Sequence, residues 1–160
     1  MEIKQLTAAD HLDLLPAFVE LQAYYFGDEA ATPEQVRAYL LDGLFSEQSG
    51  VRVSGAYSGS RIVGFATYTI MYPAPQLSGQ LYMKELFVAS EARGQSVGRQ
   101  LMKYLARYAI DNRCVRLDWT AETTNPNAGR FYRSIGAPRM PEKEYYRFEG
   151  DTLKAFAAAL

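Results

Sequence analysis

Residues 81 to 101 of this 160-residue chain read LYMKELFVASEARGQSVGRQL, and this stretch decides the fold. Residues 80–88 predict a strand, the last of an antiparallel meander of three. Apolar residues at helical spacing then predict an amphipathic helix over residues 96 to about 112. Between them lie Gly94 and Gly98, in a loop whose backbone N–H groups can point at one anion beside the positive end of the helix. The pattern fits a pyrophosphate, although glycine also follows strands for reasons of backbone geometry alone.

The elements around this stretch predict a mixed α/β fold, in which helices flank a mostly antiparallel mixed sheet. Alternating apolar residues predict strands, and Thr32 followed by Pro33 predicts a helix start. The predicted elements outside the opening stretch are strand 3–6, a first helix that starts within residues 7–10 and breaks at Gly27, a second helix from 32 to near 44, strands 51–57 and 61–71, a loop over 72–79, strand 115–120, helix 125–135, strand 145–148 and a terminal helix over 152–160.

Length and composition bound the class of protein. With 160 residues, 48% of them hydrophobic and 22% charged, the chain can bury one core and is not of the disordered class. We therefore predict a single domain over residues 1–160. The net charge of -1 gives no electrostatic reason to expect nucleic acid or an anionic membrane as a partner. A small molecule is the expected partner.

The rarity of cysteine and histidine bears on metal binding. Cys114 is the single cysteine and His11 the single histidine, so we expect neither an internal disulfide nor a metal site built from these residue types. The N-terminus lacks a basic segment followed by an apolar run, and no stretch approaches the roughly 20 apolar residues of a membrane-spanning helix. The sequence therefore predicts a cytoplasmic protein without a metal.

Two motifs carry a resemblance to a known family. The first is Arg93-Gly94-Gln95-Ser96-Val97-Gly98, and the second is NPNAGRFYRSIGA at residues 125–137. With these motifs at this separation, the chain resembles the GNAT superfamily of N-acetyltransferases. The family signature is Arg or Gln, two residues, Gly, one residue, then Gly or Ala, and this chain departs from it at Ser96. The resemblance implies a GNAT-like fold and the transfer of an acetyl group from acetyl-CoA to an amine.

The resemblance also implies where acetyl-CoA binds. In the family the glycine loop holds the pyrophosphate, the asparagine contacts the pantetheine arm, and the tyrosine hydroxyl protonates the departing thiolate. Tyr132 is thereby the expected general acid, and the alternative is that its ring only packs its helix on the sheet. A backbone N–H near Phe87 or Val88 is the simplest group to polarise the thioester carbonyl. The residues expected to bind acetyl-CoA are Phe87, Val88, Arg93, Gly94, Gln95, Ser96, Val97, Gly98, Arg99, Asn125, Ala128 and Tyr132.

The resemblance is closest to the diamine acetyltransferase branch, notably in residues 62–66, the loop that begins at Tyr72, and residues 112–114. That branch has two carboxylates where this chain has Lys84-Glu85. The amine must lose a proton before it attacks, and Glu85, acting through a water, is the expected base. The alternative interpretation of Glu85 is a solvated strand carboxylate.

The acceptor side is expected to bind an ammonium group. Aromatic faces and carboxylates suit such a cation, and the segment where the first two helices join borders the substrate site in this family. Each of these side chains is alternatively a solvated loop residue. The residues expected to bind the amine are Tyr24, Tyr25, Glu29 and Glu122.

The predicted reaction is direct attack by a primary amine of a small molecule, such as a polyamine, a diamine or an amino-acid-like compound, within a ternary complex. Two alternatives stay open. One is a non-catalytic acyl-CoA sensor or interaction module, and the other is acetylation of a peptide or protein N-terminus. A homodimer is a further expectation, because members of the family often dimerise.

Overall fold

A computed structural model describes residues 1–159 of the chain, and Leu160 lies outside the described residues. The strands and the regular helices are β1 (Glu2–Leu6), α1 (His11–Phe26), α2 (Pro33–Tyr39), β2 (Arg52–Ser58), β3 (Arg61–Ala74), β4 (Ser78–Val88), α3 (Val97–Asp111), β5 (Cys114–Asp118), α4 (Pro126–Ser134) and α5 (Gly150–Ala158). A π-helical turn, Leu40–Leu44, prolongs α2.

The chain forms two compact units, Met1–Thr120 and Ala121–Leu160. The first contains the five strands and helices α1 to α3, and the second contains α4 and α5. The single domain expected over the whole chain stays a prediction. None of the helices in residues 1–159 combines the length and hydrophobicity that crossing a bilayer requires.

The first unit is built on a five-stranded sheet in the order β1-β2-β3-β4-β5. The first three contacts between neighbouring strands are antiparallel. The last one, β4 with β5, is parallel, because α3 carries the chain back over the sheet between these two strands. The predicted class, a mixed α/β fold whose mixed sheet is flanked by helices, is confirmed.

Local sequence signals explain where the N-terminal helices begin and end. Gly27 ends α1 with φ of 54°, a left-handed value that glycine adopts without strain. Thr32 caps α2 through a reciprocal pair of bonds: its Oγ1 accepts from Gln35 N at 3.2 Å, and its N donates to Gln35 Oε1 at 2.9 Å. Pro33 then takes the first helical position. These features confirm the predicted break and the predicted second start.

The core lies on both faces of the sheet, and β3 supplies side chains to each. Phe65 stacks on Phe18 of α1 with ring centroids 5.6 Å apart, whereas Tyr68 meets Tyr108 of α3 at 5.1 Å. Gly64 permits the close approach of α3, since a Cβ there would lie 2.9 Å from a methyl carbon of Val97. The start of α3 is thereby seated against the centre of the sheet.

The loop predicted over residues 72–79 is shorter in the structure. The ladder between β3 and β4 continues to the pair Ala74 and Ser78, and only the short turn Pro75–Leu77 remains. Ser78 Oγ donates to Pro75 O at 2.6 Å across this turn. The prolines do not interrupt the strand direction here, because the ladder is irregular between Met71 and Ala74.

The strand predicted over residues 145–148 is not formed in the described part of the chain. Tyr145 and Tyr146 are 67% and 81% exposed, and Phe148 stacks on Phe156 of α5 instead of entering a sheet, with ring centroids 4.5 Å apart. Aromatic residues give this segment a high strand propensity, but a strand needs a neighbouring strand with which to pair. The prediction of a sixth strand was wrong for this reason.

Candidate active site

The two edges of β4 are paired to different extents. β5 pairs with β4 only over residues 79–82 of β4, whereas β3 pairs with it along its whole length. Within residues 1–159, the ladder leaves residues 83–88 of β4 without a strand on the β5 side. β5 ends at Asp118, opposite Tyr82, and the carboxyl half of β4 therefore keeps an open edge.

A β-bulge at Lys84 sets the direction of the side chains along this open half. Met83 lies opposite Tyr68, and Glu85 lies opposite the preceding residue, Thr67, so that Lys84 has no partner of its own. Facing residues in a ladder share one side of the sheet, and consecutive residues take opposite sides. Glu85 therefore points to the α1 side and Met83 to the α3 side. In a regular strand, residues two positions apart point to the same side, and the bulge is what separates them here.

Glu85 is a partly buried carboxylate with three polar neighbours. Its Oε1 accepts from Leu86 N at 3.2 Å, and the hydroxyl of Tyr25, on α1, lies 3.4 Å from both carboxylate oxygens. Burial raises the pKa of Glu85 above the ordinary glutamate value, although the Leu86 amide, the charge of Lys84 and the Tyr25 hydroxyl each lower it. A raised pKa makes the carboxylate a stronger base for taking up a proton.

Backbone amides of β4 alternate between the ladder and the open edge. Ala89 N donates to Val63 O at 3.0 Å, so Ala89 and, two residues earlier, Phe87 direct their N–H groups toward β3. Leu86 and Val88 direct theirs toward the open edge. The Phe87 amide is thus part of the sheet, and its ring is buried in the core at 5% exposure. Of the two amides expected to polarise a carbonyl, this geometry favours Val88.

The loop before α3 has two residues in the left-handed region. Gly94 has φ of 76° and Ser96 has φ of 65°. Ser96 stands where the family signature has glycine, and its backbone conformation explains that preference, because glycine adopts positive φ without strain. The first bond within α3 runs from Gln100 N to Ser96 O at 3.0 Å. The amides at the first helical positions precede this bond, at the positive end of the helix.

The side chain of Arg93 lies against the open edge of β4. Its Nε donates to Val88 O at 3.2 Å, and its guanidinium lies over the ring of Tyr24 with 5.8 Å to the centroid. Nearby, Ser90 N donates to Glu20 Oε1 at 2.8 Å. The last turns of α1 therefore contact the loop before α3 as well as Glu85.

Most of the remaining residues expected in the first unit lie at the surface, and one of them is buried. Gln95 donates through Nε2 to Glu91 O at 2.9 Å, so its side chain braces the loop. Val97 is buried beneath the start of α3, whereas Arg99 is exposed on the first turn of that helix. Glu29 is exposed in the short 3₁₀ turn after α1. The structure gathers Tyr25 and Glu85 with the start of α3, and it leaves the Glu29 carboxylate in solvent.

The second unit contains the other expected residues. Asn125 caps α4, since its Oδ1 accepts from Ala128 N at 3.2 Å, and its own N donates to Glu122 O at 3.0 Å. Tyr132 is partly buried on α4, with its ring centroid 5.2 Å from that of Phe131. Asn125 thus has a structural role as a helix cap, and the roles of Tyr132 and Glu122 in catalysis or binding stay predictions.

Two features of this site were not predicted from the sequence. The Leu86 amide bonded to Glu85 is a main-chain group, and no residue type marks it. The bulge at Lys84 has only a weak signal in the sequence, which is a lysine between two apolar segments of the strand. Within residues 1–159, the structure shows no group of three or more His, Cys, Asp or Glu side chains arranged to hold a metal ion.

Comparison with known proteins places this fold in a class, the acetyltransferases. Residues 15–137 match the model of the acetyltransferase (GNAT) family, and the chain belongs to that family.

Relatives and solved structures agree with this class. Thialysine N-epsilon-acetyltransferase from Sus scrofa is 29% identical over 106 residues, which cover 64% of this chain and 62% of that protein. L-ornithine N5-acetyltransferase from Arabidopsis thaliana is 28% identical over 94 residues, which cover 59% of this chain and 41% of that protein. The chain thus spans less than two thirds of the length of these relatives. A solved integron cassette protein from the mobile metagenome of V. cholerae is 57% identical, with a TM-score of 0.96, and the match covers 99% of this chain and 98% of that one.

The GNAT family uses acetyl-CoA, and the first unit has features that fit this molecule. A pyrophosphate requires several amides at the positive end of a helix, and the start of α3 with positive φ values at Gly94 and Ser96 fits this requirement. The open edge of β4 offers the main-chain amide of Val88 to a carbonyl of a bound ligand. Arg93 and Arg99 add positive charge beside the loop. The residues present therefore suit acetyl-CoA.

Proposed function

We propose that this protein transfers the acetyl group of acetyl-CoA to a primary amine of a small molecule, by direct attack within a ternary complex. The observation that carries the proposal is the position of Glu85. The bulge at Lys84 turns this carboxylate to the α1 side of β4, on the half of the strand whose other edge is open. A proton acceptor thereby lies beside the expected site for the thioester.

The acceptor class is inferred from the relatives together with the chemistry of α1. The relatives are named for amino groups of amino-acid-like compounds, the N-epsilon of thialysine and the N5 of ornithine. Here Tyr24 and Tyr25 end α1 with rings that are 57% and 53% exposed, and aromatic faces attract ammonium groups. Glu29 follows in the next turn and Glu122 is a further carboxylate. We therefore infer an amino-acid-like diamine or a polyamine as the acceptor.

The proposed mechanism needs three actions from the protein. Bound acetyl-CoA supplies the acetyl thioester. Glu85 accepts the proton of the incoming ammonium, directly or through a water, and its raised pKa brings the carboxylate closer to the pKa of the amine. The Val88 amide, directed to the open edge, donates to the carbonyl oxygen. Tyr132 gives its hydroxyl proton to the departing sulfur, a role inferred from the family motif at residues 125–137.

Acetyl-CoA is held by main-chain groups in this proposal. The amides of residues 93–98, together with Arg99, bind the pyrophosphate at the start of α3. Asn125 and Ala128 contact the pantetheine arm, with Asn125 also capping α4 through its Oδ1. Tyr132 lies near the sulfur in the same proposal.

The test is thiol release from acetyl-CoA, measured with polyamines, diamines, amino acids, aminoglycosides and N-terminal peptides as acceptors. We expect turnover with one class of small amine. Tyr132→Phe is expected to lower kcat at least about tenfold, because it removes the proposed proton donor. Tyr146→Phe is the matched control, since this tyrosine is 81% exposed in the same unit and is expected to keep wild-type turnover.

Two results would contradict the proposal. If no amine supports thiol release while acetyl-CoA still raises the melting temperature, the protein is a non-catalytic acyl-CoA sensor. If only N-terminal peptides are acetylated, the acceptor class is wrong. Turnover of a small amine that survives Tyr132→Phe unchanged refutes the role of Tyr132 alone.

Location and assembly are inferred from the sequence and the family. We infer a cytoplasmic protein that functions without nucleic acid, membrane or metal, and that forms a homodimer. Size-exclusion chromatography with light scattering measures the assembly, and a monomeric mass at micromolar concentration contradicts the dimer.

A further inference from the structure

The last turn of α1 places a phenol directly on the proposed base. We propose that Tyr25 is a positioning residue for Glu85, whose hydroxyl holds the carboxylate in the orientation and the ionised state in which it accepts the proton of the amine. This inference rests on the proposed function, because it assigns a role to a residue that acts through Glu85. It differs from the expected contact between Tyr25 and the amine itself.

The geometry assigns different tasks to the two carboxylate oxygens. The Tyr25 hydroxyl, which has one proton to donate, lies 3.4 Å from each carboxylate oxygen. The oxygens differ because only Oε1 also accepts from Leu86 N, at 3.2 Å. Each carboxylate oxygen has two lone-pair sites, so Oε2 retains one for a water or an amine. We therefore assign Oε2 as the oxygen that takes up the proton.

The two donors come from different elements, which fixes the carboxylate in two directions. The Leu86 amide belongs to β4, next to Glu85 in the chain, and it restrains the side chain along the strand. Tyr25 approaches from α1, on the opposite wall, and it restrains the carboxylate across the space between helix and sheet. Removing one donor leaves a side chain with several rotamers of similar energy.

The surroundings of Glu85 act on the ionisation of its carboxyl in both directions. Burial raises the pKa of the carboxyl, and three groups oppose the effect: the Leu86 amide, the ammonium of Lys84 on the same strand, and the Tyr25 hydroxyl on α1. Lys84 is exposed, so its charge is screened by solvent. Tyr25 is the contributor from the helix that packs on this face, and a hydroxyl that donates to a carboxylate favours the ionised form.

The neighbouring tyrosine offers a matched comparison. Tyr24 precedes Tyr25 on α1 and is similarly exposed, and their rings meet edge to face at 5.2 Å. Its ring lies against the guanidinium of Arg93 and not against Glu85. Removal of either hydroxyl therefore alters the shape of α1 to the same small extent. Only removal of the Tyr25 hydroxyl takes a hydrogen-bond donor away from the Glu85 carboxylate.

The first experiment measures titration without turnover. In protein labelled with ¹³C at the glutamate side-chain carboxyl, the Glu85 resonance is assigned by its loss in Glu85→Gln and is followed against pH. Tyr25→Phe is expected to move the Glu85 midpoint upward by about half a unit to one unit, since the hydrogen bond to the ionised form is lost. Tyr24→Phe is expected to leave the midpoint at its wild-type position. Melting curves confirm that both variants are folded.

The second experiment measures kinetics with the amine identified by the thiol-release assay. Tyr25→Phe is expected to shift the acid limb of kcat/KM to higher pH by the same amount, and to lower kcat about tenfold with KM for the amine within about threefold. Tyr39→Phe, an exposed tyrosine on α2, is expected to match the wild type.

Three outcomes decide the inference. An unchanged Glu85 midpoint in Tyr25→Phe overturns it. So does a kinetic effect confined to KM, which indicates that Tyr25 contacts the amine and does not act through Glu85. If the wild type releases no thiol with any amine, the proposed function fails, and with it the positioning role. Wild-type turnover together with an unmoved titration leaves the proposed function standing and removes Tyr25 alone.

Discussion

The two halves of β4 have different partners although they form one strand. Residues 79–82 lie between β3 on one edge and β5 on the other, and Leu81 is fully buried there. Residues 83–88 pair with β3 alone, carry the bulge at Lys84, and present Glu85 and the Val88 amide outside the ladder. The first half is paired with a strand on both edges, and the second half has one edge without a strand.

The difference shows how a sheet acquires a binding edge without losing its core. An unpaired backbone donor inside a protein is costly unless water, a side chain or a ligand satisfies it. Here Arg93 Nε satisfies the Val88 carbonyl, and the Glu85 carboxylate satisfies the Leu86 amide. The open half therefore satisfies these exposed groups with polar side chains, whereas the closed half satisfies them with a second strand.

The largest effect is expected from adding a second extra residue beside the bulge that separates the two halves. Insertion of one alanine directly after Lys84 shifts Glu85 and the residues after it by one position along β3, so these residues exchange sides of the sheet. Phe87, whose ring lies 5.6 Å from that of Phe65 in the core, then leaves the α1 side. We expect a loss of about 4 kcal/mol in the free energy of unfolding, comparable with truncating a buried phenylalanine. Urea denaturation followed by circular dichroism measures this loss.

Substitution at Lys84 is the control for the insertion. Lys84→Ala keeps the number of residues in the bulge, and the side chain is exposed, so the free energy of unfolding is expected to stay within about 0.5 kcal/mol of the wild type. Equal destabilisation by insertion and substitution contradicts the role given to the bulge.

The next effect concerns the chemistry of the open half. Glu85→Gln removes the proposed base but keeps the shape of the side chain, and we expect kcat/KM at neutral pH to fall about 100-fold or more. Glu47→Gln, an exposed carboxylate in the turn before β2, is the control and is expected to stay within about twofold. Wild-type kcat/KM in Glu85→Gln shows that another group takes the proton.

Glu85→Gln also tests how the stability of the protein depends on pH, independently of its activity. A carboxyl whose pKa is raised by folding binds protons more tightly in the folded chain, so the free energy of unfolding decreases as pH rises through that pKa. Glu85→Gln is therefore expected to melt at a higher temperature than the wild type at pH 7 to 8. This advantage disappears in acid, where Glu85 is protonated in both states. An advantage that persists in acid points to packing as its cause.

The smallest effect is expected in the closed half. Gln80 Nε2 donates to Asp118 Oδ2 of β5 at 2.7 Å, a bond that joins the two parallel strands. Gln80→Met removes the donor and retains the side-chain length, and we expect a loss of about 1 kcal/mol in the free energy of unfolding. The kcat/KM is expected to remain within about twofold of the wild type. A large kinetic effect with unchanged stability contradicts the division of β4 into a structural half and a functional half.

Much of the fold followed from local patterns. The capping box at Thr32, the break at Gly27 and the alternation along β2 and β3 depend on neighbours within a few residues, so they are readable in the chain. The strand expected over residues 145–148 failed because pairing depends on a distant partner. The length of the turn after β3 was misjudged for the same reason, since a ladder continues for as long as the facing strand allows.

The candidate site was readable in part. The glycine loop was selected from the sequence because an anion site at a helix start has a characteristic residue pattern. Glu85 was selected because it is a carboxylate on the strand before that loop. The contact between Tyr25 and Glu85 joins residues 60 positions apart, and no local pattern records it. The preference for the Val88 amide over that of Phe87 depends on the register between β3 and β4.

The resemblance to the family, the order of the helices and of most strands, and the residue types available for acyl transfer can all be read from the amino-acid sequence. These follow from periodicity, caps and motifs, which act over short stretches of chain. Only the tertiary structure decided the direction in which Glu85 points, the edge on which β4 is open, and the helix residue that meets the carboxylate. A single extra residue at Lys84 reverses the alternation, and that reversal exists only when the strand is paired with β3.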